Sequence, residues 1–578
     1  MPFLSSTTLI ASSSLVIFLG IGLSILPSYF SNLILTWRST TYCYASITTL
    51  SPTTTPNADC ITISPSGLFS KVFVDEASYD VFKAWRTGHV IPGLWDGHGH
   101  LLQYGELLHS VNLFGAQSMG EVLERVHEYR KGNERVGSRE EWIRGVGWDQ
   151  AMFGGNMPMA QDLENDPQLR GAYIMLDRID VHCVWVSEAV LRLLPDPLPE
   201  VPGGEIVTDP GKGVFCDNAM DLVMEHYPKP GKEKKKQFVR SAMKDLNSLG
   251  IVGIHDAGVT PEDLNMFEEM IGEGWTVRVY GMLECKKRNT FCPNEALKIT
   301  REDKMLEVRS VKLFADGALG SWGSAMIEPY SDHSWTSGSL LVNASMLTDL
   351  THAWASAGYQ VNIHAIGDLA NRLAIDAISS ALDLLCPGSP RQECQRLHRF
   401  RIEHAQIIHP DDQKWMYDTG IIPSIQPTHA TSDMSYAETR LGTKRTSEEA
   451  YRMRSLLPLN PILGSDFPVE PADPFQGIFA AVARRSPQTG LDAHGGRDGW
   501  YMDEALTLEE ALRGFTIGPA YGAFLEGKAG IIEVGAFADW IVLDEPLETM
   551  DVDGLRALRV REVWIAGKMV FERVDEEL

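Results

Sequence analysis

From residue 90 onward, short apolar runs alternate with stretches of helical apolar periodicity. Eight runs predict strands: His89–Trp95, Ile251–His255, Val277–Leu283, Val308–Ala315, Gln360–His364, Phe400–His404, Ile421–Gln426 and Pro461–Gly464. Helical patterns fill most of the gaps and are clearest over Glu262–Gly272 and Ala370–Leu385. Alternation of strand and helix is the sequence form of a parallel sheet, and eight such units suggest a (β/α)8 TIM-type barrel in the α/β class. No internal repeat of solenoid period is visible.

The stretch from about 110 to 250 is too long for one strand-to-helix connection. It carries its own strand-like pieces, Trp142–Val146 and Ala172–Leu176, and a hairpin pattern over Gly204–Phe215. These predict an inserted α+β subdomain after the first barrel strand, placed over the barrel mouth as a lid. Near the end, Ala538–Leu543, Val560–Ala566 and Met569–Phe571 are strand-like, and Val72–Asp75 can pair with them. A small β-sandwich domain formed by the two chain ends is expected.

The start of the chain has a different pattern. No charged side chain precedes Arg38, and Leu9–Ile25 is apolar apart from a few serines. About 18 such residues are just enough to cross a bilayer as a helix. The favoured reading is a single-pass membrane anchor, with secretion after signal cleavage as the alternative. Ser46–Pro65, rich in Thr, Pro and Ser, reads as a linker. The expected division is residues 1–45 as anchor or signal, 46–88 as linker and first part of the β-domain, 89–525 as barrel with its insertion, and 526–578 as the rest of the β-domain.

Composition narrows the function classes. Of 578 residues, 44% are apolar and 22% charged, as in ordinary globular proteins. Lys and Arg total 51 against 77 Asp and Glu, a net charge of −26. A surface this acidic repels phosphate backbones, so no nucleic-acid partner is expected. The basic run Lys232 to Lys236 reads as a solvated helix start. The eight cysteines form no Cys-x-x-Cys pair. Cys285/Cys292 and Cys386/Cys394 are spaced for disulfides, but scattered free thiols are the preferred reading. Asn343-Ala344-Ser345 is a glycosylation sequon only for a luminal or extracellular chain.

Chemistry-bearing residues gather at the ends of the predicted strands, where such barrels place their active sites. The first strand runs into Asp96-Gly97-His98-Gly99-His100. Residues i and i+2 of a strand share a face, so His98 and His100 can address one ion. The fourth strand carries Lys312, with Asp316-Gly317 following. Burial depresses an amine's pKa, and a neutral lysine can take up carbon dioxide as an anionic carbamate that bridges two metals. The fifth and sixth strands end at His364 and His404, and the eighth leads into Asp466, which can bind metal and relay protons. Each residue alone has a bland structural alternative. Six groups at the ends of five strands jointly indicate a metal site.

These motifs resemble the amidohydrolase superfamily, in particular its YtcJ-like branch, amidohydrolase family 3. The matching stretches are Pro92 to His100, Lys312 to Ser321, Asn362 to Asp368, Arg401 to Gln406, Leu463 to Pro468, and Gly530-Ile531-Ile532 through Ala538-Asp539-Trp540. The resemblance implies two divalent ions, usually zinc. It places His98, His100 and Asp466 on one ion, His364 and His404 on the other, and carbamylated Lys312 between them. Gly147-Trp148-Asp149 and Arg178 to His182 also match family patterns, which makes Trp148 and His182, together with Asp316, the expected substrate contacts. At Trp322-Gly323 the chain departs from relatives that often carry Arg-Thr. The expected activity is hydrolysis of a non-peptide amide-type C–N bond of a small molecule by a metal-activated hydroxide, with Asp466 as catalytic proton carrier. Lactone, ester or phosphoester hydrolysis at the same site, or a catalytically silent regulatory role, stay open, as does assembly into a homodimer.

Overall fold

The computed structural model describes residues 39–53, 57–75, 83–133 and 136–574. At its centre eight parallel strands lie in chain order: β1 (Leu94–Gly99), β2 (Ile251–Val259), β3 (Arg278–Leu283), β4 (Leu306–Phe314), β5 (Gln360–Ala365), β6 (Arg401–His404), β7 (Ile422–Ile425) and β8 (Ile462–Leu463). A parallel bridge between Gly99 and Phe467 brings the eighth strand back to the first, so the (β/α)8 barrel is nearly closed. Residues of β1, β3, β5, β6 and β7 are buried along their whole length, as expected when helices cover a parallel sheet. The helix Asp368–Leu385 shows how the outer ring packs: Ala374, Ile375, Ile378 and Leu382 recur at helical spacing and are buried.

The predicted first strand, His89–Trp95, is two strands. His89–Pro92 pairs antiparallel with Trp540–Leu543 outside the barrel, and β1 begins after Gly93. A side chain at Gly93 would stand 2.5 Å from Val252, so the close approach at this corner requires glycine.

The insertion is an α+β subdomain with a six-stranded sheet. Its order is Gly204–Val207, Val214–Asp217, Cys183–Val186, Ile174–Arg178, Ile143–Trp148 and Val111–Asn112. It has apolar cores of its own on the two faces of this sheet, one around Trp148 and Trp185 and one around Phe215 and Val223.

Both chain ends meet in a third sheet, ordered Lys568–Glu572, Glu562–Ile565, Trp540–Leu543, His89–Pro92, Thr40–Thr48, Asn57–Ile63 and Phe69–Phe73, with Lys83–Trp85 alongside Thr40–Thr48. Within the stretch read as a Thr/Pro/Ser linker, residues 46–48 and 57–63 are thus strand. Its threonines suit a pleated surface, and Thr41 and Thr62 share a hydrogen bond across it at 2.9 Å.

Two expectations need correction. All eight cysteines are paired, as Cys43–Cys60, Cys183–Cys216, Cys285–Cys292 and Cys386–Cys394, so no free thiol exists. The first two pairs join residues far apart in sequence that strand register places opposite each other. The second correction concerns the membrane. Among the described residues no helix is long and apolar enough to cross a bilayer, so the single-pass membrane reading has no helix there to rest on. The strongly apolar helix Pro474–Ala483 has only 10 residues, and Asp368–Leu385, with 18, carries Asp and Arg side chains. The segment Leu9–Ile25, on which that reading rested, lies outside the described residues.

Candidate metal centre

His98 at the end of β1, His404 at the end of β6 and Asp466 just after β8 form a buried cluster whose ligand atoms all lie within 4.8 Å of one another. The other expected ligands join it. His100 Nε2 is 3.1 Å from Asp466 Oδ1, and Lys312 Nζ is 3.2 Å from His98 Nε2. The His364 and His404 rings meet edge to face at 4.4 Å. All six residues named from strand ends are therefore linked in one cluster of neighbouring side chains. Backbone strain marks the spot: His404 and Asp466 sit at φ 71° and 63° without being glycine. The Asp466 N–H donates to the His98 carbonyl at 2.7 Å, which ties the last ligand to the first strand.

Neighbouring side chains aim the ligands. Glu403 Oε2 is 2.6 Å from His98 Nδ1, and Gln426 Oε1 is 2.9 Å from His404 Nδ1. Both imidazoles are thereby held through Nδ1, with the His98 Nε2 facing Lys312 and Asp466. Arg401 clamps the other Glu403 oxygen through Nε at 2.7 Å and Nη2 at 2.5 Å, and donates through Nη1 to His255 Nδ1. Asp96 accepts from the Ser465 hydroxyl and from the His98 and Ser465 amides, and so fixes both strand ends.

The electrostatics favour cation binding. Burial, with the Lys312 charge nearby, lowers the His98 pKa to about 4. Burial also drives His364 and His404 well below the ordinary imidazole value, and lowers Lys312. Burial opposes ionisation of Asp466, but His98 and His100 outweigh it and hold its carboxyl below the usual range. Neutral imidazoles, a carboxylate and a depressed amine in one buried pocket are the donor set of a divalent metal. The buried His364 Nε2 has no hydrogen-bond partner, which fits a ligand position. A second group with close ligand atoms, Cys386, Cys394 and His398, offers no thiolate, because its two sulfurs form a disulfide.

The expected substrate contacts part ways. Trp148 is fully buried in the insertion, donates Nε1–H to the Leu176 carbonyl and stacks on Phe153, so it builds that subdomain's core. Asp316 is fully buried and accepts backbone N–H bonds from Ala325, Ile366 and Gly367; it shapes the loops after β4 and β5. Burial raises its carboxyl to about 7 despite those bonds. Asp316 Oδ1 stands 3.6 Å from His364 Nε2, and His182 approaches the same residue from the insertion, with its ring 5.9 Å from that of His364.

Sequence reasoning missed three participants. His429 stands 3.6 Å from Asp466 Oδ2 with its ring stacked at 5.8 Å on His404, from a short helix after β7 that carries no strand-end signal. Glu403 was visible beside His404, but its partner His98 is 305 residues away. Asp217, bonded to His182 Nδ1 at 2.8 Å, sits at a strand end of the insertion.

The model of the amidohydrolase family matches residues 87–571. The chain belongs to the amidohydrolase family. Relatives include the protein LONG AFTER FAR-RED 3 of Arabidopsis thaliana, 28% identical over 78% of this chain and 77% of its own. YtcJ of Bacillus subtilis, an amidohydrolase by name, is 27% identical over 84% and 89%. An N-substituted formamide deformylase of Arthrobacter pascens is 24% identical over 84% and 88%. An uncharacterized metal-dependent hydrolase from Pyrococcus horikoshii shares the fold, with a TM-score of 0.70 and 23% identity over 89% of this chain and 99% of that one. This family member is thus an amidohydrolase-fold enzyme with a metal-binding residue set at the ends of its barrel strands.

Proposed function

We propose that this amidohydrolase hydrolyses a non-peptide, amide-type C–N bond of a small molecule. The observation that carries the reading is the convergence of His98, His404 and Asp466 on one buried point, with Lys312 beside it. His98, His100 and Asp466 would hold one divalent ion, and His364 and His404 a second; zinc suits this nitrogen-rich set. Lys312, carrying carbon dioxide as a carbamate, would supply the ions with an anionic ligand. When bound, the ions supply Lewis acidity toward an acyl oxygen and bring the pKa of water near ~7. Asp466 accepts the proton of the attacking water on a carboxylate oxygen and returns it to the leaving nitrogen. Glu403 and Gln426 keep the His98 and His404 rings in place throughout. The deformylase relative acts, by its name, on a substituted formamide, which supports an amide as the bond cleaved.

The test is metal analysis of the full chain followed by a panel of N-formyl and N-acetyl anilines with the matching phenyl esters and a phosphotriester. About two ions per chain, amide turnover abolished by chelation, and a loss of roughly 10²–10⁴-fold in kcat for Asp466→Asn are expected. Preferential turnover of esters or phosphotriesters would replace the amide reading. A metal-free chain, or wild-type turnover by Asp466→Asn, would defeat it.

A further inference from the structure

The insertion contributes a histidine–carboxylate pair to the barrel mouth. His182 Nδ1 and Asp217 Oδ1 are 2.8 Å apart, and the Asp217 N–H donates to the His182 carbonyl at 2.8 Å. The two residues flank the Cys183–Cys216 disulfide, whose partners face each other in strand register, so a covalent clamp lies directly behind the pair. Both sides of the pair hold unusual backbone: Val181 and Asp217 sit at φ 52° and 51°. The Asp217 carboxylate lies in a notch made by two glycines of the loop after β4. A side chain at Gly317 would stand 2.6 Å from it, and one at Gly323 2.9 Å. A carboxylate docked there directs His182 toward His364, with the His182 side chain still 26% exposed. Burial depresses this imidazole, but the Asp217 bond and charge outweigh it and hold its pKa above the ordinary value.

We propose that His182 is the insertion's substrate contact, hydrogen-bonding the scissile amide through Nε2, and that Asp217, seated against Gly317 and Gly323, is its positioning residue. The inference rests on the proposed amide hydrolysis and adds the element that presents the substrate to the centre. An Asp–His pair of this kind fixes the tautomer and aims the free nitrogen.

The full chain is assayed on the same anilide panel as His182→Ala, His182→Gln, Asp217→Ala, Asp217→Asn and Gly317→Ala, with metal content measured for each. His182→Ala is expected to lose roughly 10–100-fold in kcat/KM, with His182→Gln recovering part of the loss and its remaining defect appearing as a raised KM rather than a fall in kcat. Asp217→Ala should match His182→Ala, Asp217→Asn should recover most activity by keeping an acceptor, and Gly317→Ala should lose activity by displacing the carboxylate. Metal content should equal wild type in all five. Wild-type kcat/KM in His182→Ala, or metal loss that accounts for every defect, overturns the inference alone. A metal-loaded wild-type chain that cleaves no amide overturns the proposed function and this inference with it.

Discussion

Glu403 joins the ligand His98 to the buried cation Arg401, and all three side chains are fully shielded from solvent. Burial works against its charge, but Arg401 and His98 outweigh that and hold its carboxyl below the ordinary range. A carboxylate bonded to the far nitrogen of a ligating imidazole orients the ring and strengthens it as a donor. Glu403→Gln keeps the shape and removes the charge. It should weaken metal binding by roughly 10–100-fold in a chelator competition, and a metal affinity equal to wild type would show that His98 needs no such support. The same residues show what is legible locally. His98, His100, His364, His404 and Asp466 stand out because each follows or ends an apolar run, and Lys312 because it lies inside one. Glu403, His429 and Asp217 act through partners distant in sequence, and no spacing reveals them.

At the scale of elements, the helix Pro474–Ala483 begins at Asp473, whose carboxylate accepts the Phe475 N–H at 2.9 Å. This cap is buried, and burial, partly offset by the Phe475 bond and Arg559, raises its pKa to about 6. A carboxyl raised on folding stabilises in its protonated form. That contribution is complete below the unfolded value near ~4 and is lost as pH rises through 6. Asp473→Asn keeps the capping oxygen without the charge. Denaturation at pH 8 should find the variant more stable by up to about 3 kcal/mol, converging with wild type near pH ~4; a gap independent of pH would mean the carboxyl is not charged at a cost. The barrel elements are legible because β-branched runs end at turn residues and alternate with helical periodicity. Thr40–Thr48 is not: Thr and Ser are mixed with Tyr, Cys and Ile in it without a clean alternation, and its partners Asn57–Ile63 and His89–Pro92 are read only once the sheet is assembled. Cysteine pairing hides for the same reason, since Cys183 and Cys216 are neighbours only in strand register.

At the scale of the whole molecule, a buried ion pair joins the barrel to the sheet of the chain ends. Arg278, the first residue of β3, donates through Nε and Nη2 to Asp539 at 2.6 and 3.1 Å, and its guanidinium lies 4.0 Å over the Phe537 ring. Asp539 also accepts the Ala566 N–H, so a single carboxylate holds the barrel, the entry to Trp540–Leu543 and the turn before Lys568–Glu572. Removing one partner strands the other charge in a dry site, which costs about 3–5 kcal/mol. Asp539→Ala should therefore unfold at lower denaturant, with the amides of Trp540–Leu543 and Glu562–Ile565 losing hydrogen-exchange protection first. The pair sits at the amino end of β3, and the metal-binding residues cluster at the opposite, carboxyl ends of the strands. Metal content and kcat/KM measured well below the transition should accordingly stay at wild-type values. Loss of metal under those conditions would show that the terminal sheet sets the geometry of the centre instead of only supporting the barrel that carries it.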